Sequence, residues 1–191
     1  NITQCIGTFD GSWDIKSGII SVCDAGDRQN GLFGKYYSSG YAPGSVTVRD
    51  GAHILLPAYS NFTQQKFGYR NFRLAGHGSD GCGAIRTGWG VSQPYVLSCV
   101  TLDADSSIAT QGSDGTHPLL GIIGNNPDQK GYLDLNGHDL YLTKMSDRPG
   151  VFRFKNILVT NSVPASGGNI YVEGIYSASM HELRVDSDVV F

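Results

Sequence analysis

Charge is scarce in this chain: Asp, Glu, Lys and Arg make up 16% of its 191 residues, against about 25% in ordinary globular domains. The net charge is −3, so no basic surface exists to draw in nucleic acid or an anionic membrane. No apolar run approaches the ~20 residues that a membrane-spanning helix needs. No stretch places apolar residues at i, i+3, i+4 and i+7 over three turns, so no helix is expected. Cys-x-x-Cys, His-x-His and His-Glu-x-x-His are all missing, which removes the usual zinc arrangements. Neither a metal nor a cofactor is expected. The chain opens on Asn1 without an initiator Met or a charged-then-apolar leader. It therefore reads as a mature product or an excised fragment of a larger protein, with any targeting signal outside it.

What is abundant is glycine, 26 residues or roughly twice the usual ~7%, together with ten tyrosines. Short runs alternate with a period of two: Trp13–Lys16, Ser45–Val48, Phe72–Leu74, Val100–Leu102, Tyr132–Leu135, Leu140–Leu142, Phe152–Phe154 and Ile170–Val172. Each puts β-branched or aromatic residues on one face, the pattern of a half-buried strand. Between strands a glycine recurs at a fixed offset. Val46–Ile54 runs strand, Asp50-Gly51, strand; Leu133–Leu140 repeats this around Asn136-Gly137, Ile170–Tyr176 around Gly174, and Ile15–Ile20 more loosely around Gly18. Glycine at such a corner permits positive φ and a sharp bend. Antiparallel hairpins across Asp-Gly or Asn-Gly compete with this reading. The next strand, however, starts only one or two residues after the glycine. A coil that bends at each corner and stacks each strand on its predecessor explains that better. The expected fold is thus all-β in a single domain over 1–191, a right-handed parallel β-helix ahead of a β-sandwich.

The order of these blocks resembles a known family. Phe72-Arg73-Leu74-Ala75-Gly76-His77-Gly78-Ser79-Asp80-Gly81-Cys82-Gly83-Ala84-Ile85-Arg86 is similar to a glycine-rich stretch of the autotransporter-associated β-strand repeat proteins. Val100–Ile108, Leu133–Lys144 and Gly168–Gly174 resemble the elements that follow it, in the same order, and Ser45–Leu56 resembles another copy. Residues 72–174 carry the likeness, about half of the chain. It implies a right-handed parallel β-helix displayed on a bacterial surface, and it does not imply an enzyme. Four cysteines are unusual for such proteins.

Those cysteines, Cys5, Cys23, Cys82 and Cys99, read as two disulfides, Cys5–Cys23 and Cys82–Cys99, in an oxidising compartment. Four cysteines also allow two other pairings, and buried free thiols are the alternative. His53, His77, His117, His138 and His181 form no ligand pattern; His53 and His138 follow corner glycines, where solvent exposure is expected. Gly76–Gly83 reads as a tight loop joining two turns of the coil, ahead of an anion nest. Asp103, Asp105 and Asp114 with Ser106, Ser107 and Ser113 read as solvated strand ends ahead of a calcium site, since neither calcium-loop spacing is present. The i, i+2 pairs Asp103/Asp105 and Asp186/Asp188 suggest no catalytic pair beyond ordinary exposed faces. Tyr36, Tyr37, Tyr41 and Trp89 lie in Gly/Ser-rich segments, where flat rings suit stacking on sugars; plugging an end or side of the coil is the competing role. The functional expectation is a non-catalytic secreted or cell-surface segment with a structural or adhesive role. A carbohydrate-binding module taking a polysaccharide or a cell-surface glycan comes second, and a polysaccharide lyase or hydrolase third.

Overall fold

The computed structural model describes residues 11–21, 30–31, 34–35, 44–56, 65–66, 70–87, 95–110, 120–121, 130–144, 151–163, 165, 167–172, 182–185 and 189–191. The strands follow one another in turns. The first turn holds β1 (Trp13–Ile15) and β2 (Gly18–Ser21), followed by the short pair β3 (Asn30–Gly31) and β4 (Gly34–Lys35). The second holds β5 (Ser45–Val48), β6 (Ala52–Leu56) and β7 (Gln65–Lys66), and the third β8 (Asn71–Gly76), β9 (Ile85–Thr87) and β10 (Tyr95–Val96). In the fourth, β11 (Cys99–Thr110) runs on through a corner before β12 (Leu120–Gly121). The fifth holds β13 (Gly131–Asp134), β14 (Leu140–Lys144) and β15 (Val151–Lys155). The sixth holds β16 (Ile157–Thr160), β17 (Ile170–Val172) and β18 (Glu182–Val185).

Equivalent strands of successive turns pair in parallel. The first ladder is β1-β5-β8-β11-β13-β16, and Val190 bridges Leu158 at its end. The second is β2-β6-β9-β11-β14-β17. A third side carries β7-β10 and β12-β15-β18. This is a parallel β-helix. A β-sandwich would need antiparallel sheets, and β3–β4 is the one antiparallel pair among the described residues. Parallel crossovers wind right-handed as a rule.

The alternating sequence becomes columns of side chains along the coil. Val46, Phe72, Val100, Leu133 and Val159 stack in register on the first side. Ile20, Ile54, Ile85, Ile108, Leu142 and Val172 stack on the second. From Ile54 to Leu142 every member of the second column is fully buried. Neighbouring strands lie ~4.8 Å apart, so each inward side chain rests on the one below and supports the one above. Burial of each contributes about 1.5–3 kcal/mol, and the core is shared between turns. Thr87 and Thr110 also point inward, and their hydroxyls satisfy each other at 2.9 Å.

The corners between the first and second sides match the sequence reading at three places. Gly18, Gly51 and Gly137 all have φ near +80° and join strands of different ladders, so Asp50-Gly51 and Asn136-Gly137 are corners and not hairpin turns. Ile170–Val172 departs from it: this strand belongs to the second ladder, so it follows the corner between the first and second sides. Gly174 lies outside the described residues.

Candidate functional site

Polar side chains on the outer face mostly fasten one turn to the next. Arg49 donates to Asp14 (2.8 Å), and Arg73 holds Asp103 through both carboxylate oxygens. Asn136 Nδ2 donates to the Leu102 carbonyl (2.9 Å), and Asn169 donates from its backbone and its side chain to Asp139 (2.8 and 3.0 Å). Asp134 is pushed up by burial but more strongly held down by the N–H groups of Ser162 and Asn136, and ends below the usual carboxylate range. Apart from Asn136 and Asp134, which are close in the chain, these partners stand 28 to 35 positions apart in sequence, one turn of the coil.

The most organised outer feature is the loop 77–84, which connects β8 to β9. It was expected to join two turns; it is instead a corner insertion within one turn, folded back over the second ladder. Gly78 and Gly83 make it possible. A Cβ on Gly78 would run into the Gly83 carbonyl, and one on Gly83, at φ +129°, would stand 2.9 Å from the Ala109 Cβ. Beneath the loop lies Arg86, with only 5% of its side chain exposed. Its guanidinium grips Asp80 in a bidentate pair, with Nη1 to Oδ2 at 2.9 Å and Nη2 to Oδ1. Its Nε donates to the Gly83 carbonyl (3.1 Å). The Cys82 N–H also donates to Asp80 (3.1 Å). Arg86 and this N–H hold the Asp80 carboxyl down at about 2.

Two histidines pin the flanks. His53 Nδ1 shares a hydrogen bond with Ser79 Oγ (3.0 Å), and His77 Nδ1 shares one with Ser107 Oγ (3.2 Å). His53 was expected to be exposed after its corner glycine, but the loop covers it and leaves it 2% exposed. Burial, and then the positive charge of Arg86, push its imidazole below the usual histidine range. Asp80 is committed to Arg86 and Cys82, so Ser79 and His53 stand as a pair and not as a Ser-His-Asp relay.

Beside the loop, Tyr141 and Tyr171 stack at 5.0 Å between centroids and 16° between planes. His77 meets Tyr141 edge-on at 5.5 Å. These rings sit on the outward positions of consecutive strands. In sequence both tyrosines are marked only as strand residues; the signal that joins them is their shared register position.

Tyr36, Tyr37, Tyr41 and Trp89 lie outside the described residues, as do Cys5, Cys23, His117, His181, Asp114, Asp186 and Asp188. Cys82 and Cys99 are both free thiols, which corrects the expected bridge between them. Cys99 pairs with Asn71 at the start of β8, whereas Cys82 lies in the loop beyond the far end of that strand. A disulfide needs Cα atoms within about 7 Å. Burial pushes the Cys99 thiol up to about 12, an inert packing residue. Asp103 and Asp105 do not converge: Asp103 faces Arg73, while Asp105 accepts the Asp139 N–H (3.0 Å) and lies 3.6 Å from His138. Among the described residues no group of three or more His, Cys, Asp or Glu side chains is placed to hold a metal. No protein family, curated protein or solved structure matches the chain.

Proposed function

We propose that this chain is a non-catalytic segment of an extracellular or cell-surface protein, of bacterial type by its resemblance, with a structural or adhesive role. One observation carries the reading. Among the described residues the outer-face groups capable of chemistry are engaged with each other, from turn to turn or, for Arg86 and Asp80, within one turn, instead of converging on a space that a substrate would enter. Arg73, Arg86, Asp80, Asp103 and Asp139 act as staples in a stiff rod, and a rod with a regular outer surface suits display and contact.

The stacked pair Tyr141–Tyr171 favours carbohydrate binding as a second reading. Tyr171 is 43% exposed, and an open ring suits the apolar face of a pyranose. Both readings meet one experiment: electrophoresis of the purified chain through native gels containing a panel of plant, algal and host polysaccharides, with reducing ends assayed in parallel. Unchanged mobility and no new ends are expected of a structural or protein-adhesive segment. Retardation by one polymer, lost in Trp89→Ala or Tyr171→Ala, would establish the glycan-binding reading. New reducing or unsaturated ends would overturn the non-catalytic reading.

A further inference from the structure

We propose that loop 77–84 is an acid-released clasp, held shut at neutral pH by uncharged His53 and opened when that imidazole takes up a proton. The clasp covers one guanidinium and one imidazole, and supplies from its exposed side the carboxylate of Asp80. Arg86 uses its Nε and both terminal nitrogens on the loop, at Gly83 and Asp80. Asp80 has both oxygens on Arg86. With His53 neutral, the charges balance. A proton on His53 puts two buried cations under the loop, against one exposed carboxylate already paired with Arg86, and with little water between the cations to screen them.

The charged groups acting on His53 are Arg86 from β9 and Asp80 from the loop; its register partner on β2 is the apolar Ile19. Among the described residues of these elements no second carboxylate takes up the new charge. Asp80 does not relieve the imbalance by protonating, because it stays ionised far below the range in which histidine titrates. Opening the loop hydrates both cations. It costs the His53–Ser79 hydrogen bond, the Arg86 bonds to Asp80 and Gly83, and the backbone bonds that close the loop, among them Gly83 N–H to the His77 carbonyl (2.6 Å) and Ala84 N–H to the Ser107 carbonyl (2.8 Å). The columns of the core lie on the other side of the sheet and are not part of the event.

The sign follows from linkage. His53 binds its proton more weakly closed than open, so the clasp is at full strength above the open-state value near ~6.5. As pH falls through that value, the open fraction rises by up to about tenfold per pH unit until the closed-state value is reached.

The test is hydrogen exchange on the full chain from pH 7.5 to 5.0, read as protection factors so that the intrinsic pH dependence of exchange cancels. Protection at Gly83 and Ala84 should fall below pH 6.5 while that of Val100 and Leu102, on the first ladder, holds. In His53→Gln, which keeps a hydrogen-bonding group for Ser79 but no proton to gain, protection should stay level. A wild-type loop whose protection does not change, or a Gln variant that loses it like wild type, overturns the clasp. Should His53→Gln fail to fold, the wild-type imidazole resonances decide. Loss of loop protection must share its midpoint with His53, and a midpoint belonging to another histidine refutes the proposal.

Discussion

Truncation of Ile108 to alanine probes the central claim of the fold, that each turn is stabilised by the turns on both sides of it. Ile108 is fully buried, with Ile85 below it and Leu142 above it. Losing three carbons at ~0.8 kcal/mol each removes about 2.4 kcal/mol of transfer energy. Both neighbours are tied to backbone ladders and cannot move into the void, so the residual cavity adds about 1 kcal/mol. The total of about 3.5 kcal/mol corresponds to a fall in Tm of roughly 7–14 °C for a chain of this size. Val172, the last member of the same column among the described residues and 39% exposed, has one column partner among them, Leu142, and its truncation should cost about 1 kcal/mol. Urea unfolding followed by far-UV circular dichroism measures both, and an unchanged m-value confirms that stability and not cooperativity has been altered. Equal costs at the two positions, or less than about 1 kcal/mol at Ile108, would refute the shared-core description.

Gly83→Ala should cost about 2 kcal/mol or more, combining its φ of +129° with the clash at Ala109. Gly81→Ala, whose Cβ would meet open space at φ +78°, should cost about 1 kcal/mol; denaturant midpoints compare the two. Asp80 is held below its ordinary value of 3.8, at about 2, so its contribution is present above pH 3.8 and is lost as pH falls from there towards 2. In a His53→Gln background the stability gap between the parent and Asp80→Asn should therefore be small and level from pH 7 to 5, then close below pH 4. A gap that persists at pH 2 contradicts this assignment. With a thiol reagent at pH 8 and peptide mapping, Cys82 should be modified in the native protein and Cys99 only after unfolding. Modification of Cys99 at the same rate as Cys82 would show that its burial is wrong.

The strands were legible because period two is a strong local signal. Ser45–Val48 and Phe72–Leu74 declare an inward and an outward face without reference to anything distant. The corner glycines were legible for the same reason, since Gly18, Gly51 and Gly137 answer a local demand for positive φ. The clasp was not. His53 and Ser79 are 26 positions apart, and the two sequence patterns that contain them do not refer to each other. What unites them is the height of one turn, the same separation that sets Phe72 over Val46. Insertions of different length at the corners vary that separation from turn to turn, so no fixed period could be read from the sequence. The expected Cys82–Cys99 bridge is absent for a related reason. Cys82 and Cys99 are neighbours in the chain, but the coil carries the chain along most of a turn between them and sets them at opposite ends of β8.

Because every turn meets its neighbours through the same columns, a turn is also the natural unit of gain and loss. If residues 71–98 were excised, Val100, Thr101 and Leu102 would arrive over Val46, Thr47 and Val48, where Phe72, Arg73 and Leu74 now rest. The apolar, polar, apolar order would be kept, and the two halves of the rod would meet as compatible surfaces. Loop 77–84 and Arg86 would leave together, and His53 would be uncovered without damage to the column behind it. A rod of this kind can change its length by duplication or deletion of a turn while its cross-section is inherited intact.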